Sequence, residues 1–218
     1  MPERTALVTG GAGGLGRAVV DALLADGWDV VVPIQRPSDL SERDGVRTVV
    51  ADLTDPDDVA RAVRVAAPHL RALVNLVGGF VADQPVASTP LNEFERLFTL
   101  NLRPTYLVTQ AAWPQLKDGG AIVCTGAQAA LRPFAGGAGY AASKAAVIAF
   151  ARAVAAEGEA DGVRCNAILP STIDTAANRA AMPESEWPKL VPPERIAAVV
   201  AFLCGDASAA LNGAQLPL

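Results

Sequence analysis

One histidine, His69, and three widely separated cysteines, Cys124, Cys165 and Cys204, are all that 218 residues offer as soft metal ligands. No Cys/His pair falls at ligand spacing, which gives a metal site little support. The thiols sit in Ile122-Val123-Cys124, Val163-Arg164-Cys165 and Phe202-Leu203-Cys204, apolar contexts that read as buried cysteines rather than a disulfide framework. Positive charge is short as well: 18 Lys and Arg against 23 Asp and Glu leave a net charge of −5, and nucleic acid, which needs a basic face, is not expected as a partner. Every apolar stretch is broken by Arg, Asp, Gly or Pro well before the ~20 residues of a bilayer span. Met1-Pro2-Glu3-Arg4 starts no basic-then-apolar leader. The expectations are no membrane, a cytoplasmic location and, without a Ser/Pro/Gly-rich linker, a single domain over 1–218.

Apolar residues are plentiful, at 51% against 19% charged. That is enough to bury a sheet on both faces and too apolar for disorder. Thr5 to Thr9, Asp29 to Ile34, Val46 to Ala51, Leu70 to Leu76, Ala121 to Thr125, Val163 to Leu169 and Ala214 to Pro217 read as short strands, several of them apolar throughout rather than alternating. Helical spacing predicts helices over Leu15 to Ala25, about Asp57 to Ala67, about Leu91 to Leu116, Tyr140 to Glu157 and Pro193 to Cys204. The alternation predicts an α/β domain with a doubly wound parallel sheet, a Rossmann fold, binding its ligand at the carboxyl ends of the strands where the winding reverses.

The first strand runs into Thr9-Gly10-Gly11-Ala12-Gly13-Gly14-Leu15-Gly16. Such a turn at a helix N-terminus lets backbone N–H groups and the positive dipole end approach a pyrophosphate, and Gly10, Gly14 and Gly16 stand where side chains would obstruct it. Glycines also serve helix packing or a plain turn, so the strand-turn-helix setting carries the nucleotide reading. Tyr140 and Lys144 lie four apart in Gly139-Tyr140-Ala141-Ala142-Ser143-Lys144. On a helix they share a face, and an ammonium below a phenol lowers its pKa from about 10. The plain alternatives are a half-buried ring at a helix start and a solvated lysine.

In this order the motifs resemble those of the short-chain dehydrogenases/reductases over nearly the whole chain. T-G-x-x-x-G-x-G is met by Thr9, Gly10, Gly14 and Gly16, with Leu15 inside it, and Y-x-x-x-K by Tyr140 and Lys144. The resemblance implies an NAD(P)H-dependent oxidoreductase in which Tyr140 gives or takes the proton, Lys144 lowers its pKa and binds the ribose, and Asn101, in Thr99-Leu100-Asn101-Leu102, supports a water in the proton relay. It implies an adenine contact at Asp52-Leu53 and nicotinamide contacts in Pro170-Ser171-Thr172-Ile173-Asp174-Thr175, where Pro170, Ile173 and Thr175 match most closely. Asn75 and Gly78 fit the family's N-N-A-G, although its second asparagine is Leu76 here. Asn101 satisfied within its helix, and Asp52 capping the next one in competition with Asp55 and Asp57, are the bland readings.

One departure bears on the chemistry. The family's catalytic serine normally stands thirteen positions before the tyrosine, and here that position is Ala127. Loss of one donor to a developing oxyanion costs about 10² to 10³ in rate, unless Thr125, Gln128 or Ser171 substitutes or the acceptor needs no such help. The dihydropteridine reductase branch of the family also has alanine there. Thr125-Gly126-Ala127-Gln128-Ala129-Ala130-Leu131 and the stretch from Leu169 to Pro183 are similar to it. A pterin-like or quinonoid acceptor, whose ring nitrogens or oxygens take up charge, is therefore expected, with a carbonyl reductase of the 3-oxoacyl-thioester type as the alternative and a non-catalytic cofactor-binding sensor as a further one.

Ile34-Gln35-Arg36 places no acid at the end of the second strand and an arginine within reach, which favours NADP(H) over NAD(H), although Arg36 also reads as an ordinary loop residue. The polar, proline-bearing run 176–193 suits a substrate lid, with Met182 and Trp187 as its apolar contacts or as plain loop anchors. By the same resemblance, the helices bearing Asn101 and Tyr140 form the interface of a homodimer or homotetramer.

Overall fold

The computed structural model describes residues 4–39, 44–67, 69–82 and 84–218; the first three residues of the N-terminal stretch read above lie outside them. Seven strands, β1 (Thr5–Thr9), β2 (Asp29–Ile34), β3 (Val46–Val50), β4 (Leu70–Asn75), β5 (Ala121–Thr125), β6 (Arg164–Leu169) and β7 (Gln215–Pro217), form one sheet in the order β3-β2-β1-β4-β5-β6-β7. Every neighbouring pair is parallel. The winding reverses between β1 and β4, so the two strand ends that carry Thr9 and Asn75 lie side by side.

Successive strand residues enter opposite cores. Leu7, Leu73, Ile122 and Cys165 pack under α2 (Pro56–Ala66), α4 (Arg103–Leu116) and α5 (Ala138–Gly158). Ala6, Val8, Val74 and Val123 pack under α1 (Gly14–Ala25) and α7 (Pro193–Cys204). Each fully buried aliphatic side chain there stabilises the fold by about 1.5–3 kcal/mol, which is why the inner strands carry no polar face while the edge strands β3 and β7 expose Arg47, Thr48 and Gln215. All three cysteines are buried, with Cys124 Sγ 3.9 Å from Cys165 Sγ. Among the described residues no helix is long and apolar enough to cross a membrane, and no group of three His, Cys, Asp or Glu there could hold a metal ion.

The long helix expected over Leu91 to Leu116 is two, α3 (Leu91–Asn101) and α4, meeting at Leu102. Pro104 is the cause: it has no N–H for the carbonyl four residues back, so the ladder restarts beyond it. The expected lid is also more regular than a loop, containing α6 (Ala176–Ala180) and a 3₁₀ turn over Glu184–Lys189. Thr175 caps α6 by accepting from Asn178 N at 3.2 Å.

Candidate active site

Thr9 ends β1 with its side chain turned toward β4: Oγ1 accepts from Leu76 N at 3.1 Å and from Val77 N at 3.3 Å. The hydroxyl thus holds the start of the loop after β4 beside the glycine turn. Gly10 has a φ of +69°, and a Cβ there would press on Val77 N at 3.2 Å. A Cβ on Gly14 would stand 2.6 Å from Thr175 Cγ2, so the first turn of α1 and the end of the β6 segment close against each other only because Gly14 has no side chain. Gly16 acts differently from the other two. Its Cβ would collide with the Gly10 carbonyl oxygen, so this glycine packs helix on turn rather than leaving room for a ligand. Leu15 is buried in the core under α1.

Beside the turn opens a cavity of about 240 Å³, lined among others by Gly10, Ile34, Gln35, Asp52, Leu53 and Val77. A concave site at the strand reversal, floored by a turn whose Gly10 and Gly14 leave no room for side chains, fits the adenosine half of a dinucleotide. Asp52 does not cap α2; Asp55 does, accepting from Asp57 N and Asp58 N. Asp52 Oδ1 instead accepts from Thr54 N at 2.8 Å and Thr54 Oγ1 at 2.7 Å, and these bonds hold its carboxyl below the usual range. Arg36, just after β2, is paired within its own turn. Its Nε donates to Asp39 Oδ1 at 3.1 Å and its backbone N to Asp39 Oδ2 at 2.9 Å.

Tyr140 and Lys144 share the inner face of α5, but the phenol is not lowered as expected. Burial pushes the Tyr140 hydroxyl above its ordinary value, while the Nζ of the buried Lys144 donates to Thr125 O at 3.0 Å and is pushed down to about 8 by desolvation. Asn101 is fully enclosed. Its Oδ1 accepts from Gly79 N at 2.9 Å, and its Nδ2 donates to Gly79 O at 3.1 Å and Ser143 Oγ at 3.0 Å. The amide therefore ties the loop after β4 to α5. A Cβ on Gly78 would lie 2.6 Å from Asn101 Oδ1 and 3.0 Å from Lys144 Nζ, so Gly78 is what lets these two groups converge. Asn75, buried in β4, donates through Nδ2 to Thr109 Oγ1 at 3.2 Å.

Ala127 is buried in extended backbone just beyond β5, and its segment is fastened along β6 by Gly126 N to Ile168 O and Gln128 N to Pro170 O. Of the three substitutes considered for the missing hydroxyl, Gln128 is spoken for, since its Nε2 donates to Leu218 O at 2.9 Å. Ser171 faces solvent. Thr125 Oγ1 is buried with no partner among the described residues. The exposed ring of Phe80 stands edge-on to Tyr140 at 4.9 Å between centroids, with Phe134 6.4 Å from Phe80, an aromatic wall that single aromatic residues in loops did not announce.

Pro170, Ile173 and Thr175 line up along the chain leaving β6, braced by an Ile173–Val191 bridge and by Asn178 Nδ2 on Ile173 O at 2.7 Å. Arg179 of α6 is held by Asp174 at 2.6 Å and lies over the Trp187 ring at 4.8 Å. Asp39 and Ser143 also belong to the site although the sequence reading passed over them; both are polar residues whose partners are defined only by the folded turn and helix.

Residues 4–186 match the short chain dehydrogenase family. The chain is 31% identical over 238 residues to an acetoacetyl-CoA reductase of Allochromatium vinosum, covering 99% of this chain and 96% of that one. It is 32% identical over 228 residues to the 3-oxoacyl-[acyl-carrier-protein] reductase MabA of Mycobacterium bovis, covering 99% and 91%. The crystal structure of a blue fluorescent protein from a metagenomic library, in complex with NADPH, is similar at a TM-score of 0.87 and 32% identity, over 99% of this chain and 96% of that one.

Proposed function

The chain belongs to the short-chain dehydrogenase family and is an oxidoreductase that binds a nicotinamide cofactor, and on that premise we propose that it reduces an acceptor able to carry its own negative charge, of the pterin-like or quinonoid class. The observation that supports this reading is Ala127, an apolar residue buried where an oxyanion donor would stand. The cofactor supplies hydride when bound. The turn Gly10–Gly14 would hold its pyrophosphate, Asp52 and Leu53 its adenine, and Ile173 and Thr175 its nicotinamide end. Lys144 has three donors and spends one on Thr125 O, so a ribose hydroxyl and the phenol are within its capacity. Tyr140, kept protonated at neutral pH by burial, gives its proton to the reduced acceptor. The exposed rings of Phe80 and Phe134 suit a flat heterocycle. NADP(H) is favoured over NAD(H), residues 176–193 act as the lid, and two copies pair through α5 and the segment expected as one long helix, α3 with Asn101 and α4 after it.

A second reading, reduction of a 3-oxoacyl thioester, is favoured by the named activities of the two relatives, with the unpartnered Thr125 hydroxyl as the donor it would recruit. Initial rates with quinonoid dihydropterin, a quinone and acetoacetyl-CoA, each with NADH and NADPH, separate the two. The expected result is turnover of the electron-poor acceptors, a weak thioester rate that Ala127→Ser raises ten-fold or more, and no turnover in Tyr140→Phe. A wild type that reduces acetoacetyl-CoA best, with no gain from Ala127→Ser, overturns the first reading in favour of the second.

A further inference from the structure

A second cavity, of about 80 Å³, opens where the loop after β4, the first turns of α3 and the approach to α5 meet, with Val81, Ala82, Gln84, Glu93, Leu97 and Gly139 among its lining. Two of these adjoin the aromatic wall: Gly139 directly precedes Tyr140, and Val81 directly follows Phe80. The space exceeds the ~10–15 Å³ that one water needs and falls short of the ~300 Å³ of a full ligand pocket. It suits one end of an acceptor whose other end reaches Tyr140. The lining is mostly apolar or bare backbone, and a Cβ on Gly139 would stand 2.9 Å from Leu97 Cδ1, so α3 and α5 close here with no side chain between them. Thr89 Oγ1 is turned back on its own loop, donating to Gln84 O at 3.2 Å and Pro85 O at 3.0 Å.

Against that background Glu93 is the one charged residue of the lining. Arg96 Nε donates to its Oε2 at 3.0 Å, and Arg96 Nη2 stands 3.0 Å from the same oxygen. Oε1 has no partner among the described residues. A carboxylate in the first turn of α3 also favours the helix dipole, but that role needs neither a free oxygen nor a cavity. An ionised carboxylate accepts and never donates, so the oxygen selects for N–H groups and against anions, and its bonds to N–H are the strong, charge-assisted kind. We propose that this cavity is a subsite for the N–H-bearing edge of the acceptor, in which Glu93 Oε1 takes the 2-amino group of an aminopyrimidinone ring. The rest of a bicyclic acceptor then lies against the exposed ring of Phe80 and beside Tyr140. The inference rests on the reading above and narrows it, because a pterin has such an edge whereas a quinone offers the carboxylate no donor.

Pterin and lumazine test it as a matched pair of stable, fluorescent probes, the first carrying a 2-amino and the second a 2-oxo group on the same ring system. Their dissociation constants are measured with saturating NADP⁺ on wild type, Glu93→Met, Glu93→Gln and Ala82→Leu. Met keeps the length of the side chain and suits a helix but has no carboxylate; Leu at position 82 fills the cavity from the loop and leaves α3 untouched; thermal melting checks each fold. Wild type is expected to bind pterin about ten-fold or more tighter than lumazine, the scale of a hydrogen bond to a charged group. Glu93→Met should erase that preference by weakening pterin about ten-fold or more and lumazine by less than about three-fold. Glu93→Gln, which retains an acceptor without the charge, should fall between, and Ala82→Leu should weaken pterin as well. Equal affinity of wild type for the two probes, or an equal loss of both in Glu93→Met, overturns the proposal and leaves Glu93 a helix-end residue; turnover of quinonoid dihydropterin by that same wild type keeps the parent reading intact. Absence of turnover with either electron-poor acceptor removes the parent reading and this inference with it.

Discussion

Lys144 is the residue whose chemistry and burial are most at odds. Nearly sealed under Gly78 and bonded to Thr125 O, its ammonium has a pKa of about 8 in the folded protein, against about 10.4 in an unfolded chain. Between those two values the unfolded state binds more protons, so stability rises with pH from about 8 to about 10.4; below 8 both states are charged and the penalty is constant. At one unit per 1.36 kcal/mol the penalty amounts to about 3 kcal/mol. Lys144→Met should therefore be inactive yet more stable than wild type at pH 7, with an advantage that shrinks at pH 9.5; urea denaturation at both pH values measures it. An advantage that does not vary with pH would mean that the ammonium is not the origin. The i, i+4 spacing of Tyr140 and Lys144 placed the pair on one face of α5 correctly, but it carried no information on solvent, and loss of solvent is what raises the phenol instead of lowering it.

At the scale of elements, α1 shows how similar glycines do different work. Gly16→Ala would drive a methyl group into backbone, the Gly10 carbonyl oxygen and Gly11 Cα, which no rotamer change relieves. Gly13→Ala would meet only Gly10 O at 3.3 Å. We expect Gly16→Ala to lose about 1–3 kcal/mol or more in urea unfolding and Gly13→Ala to lose less than half as much; equal losses would show that the turn yields. The strands were legible because a sheet covered on both faces leaves continuous apolar runs, and their ends came within a residue or two. The break at Leu102 was not read, because α3 and α4 keep the apolar spacing of one helix while Pro104 acts only through a missing N–H. Neither was the pairing of Arg36, since two polar residues three apart in a loop look alike whether they meet or not. Asn101 was found through its motif, but its partners Gly79 and Ser143 are joined by tertiary structure alone.

For the whole molecule, the helices that cover one face of the sheet leave Tyr106 of α4 46% exposed, its ring 6.1 Å from that of Phe150 on α5. In the proposed homodimer or homotetramer these rings sit inside the contact, where a standard interface covers about 1,200–2,000 Å². Tyr106→Arg is expected to shift the protein to monomers in sedimentation velocity with its melting temperature little changed. An unchanged assembly places the interface elsewhere, and a monomeric wild type ends the proposal.

The meeting of Gly14 with Thr175 has a bearing on how the enzyme is made. One partner emerges from the ribosome with the first helix and the other only after six strands, and contacts of such sequence separation form late because the intervening loop must close first. A nascent chain that has reached the end of β5 already contains its glycine turn and the residues that line the cavity beside it, but the wall against which that turn closes has not yet been synthesised. The contact that closes the first turn of α1 is thereby completed only when almost the entire sheet exists.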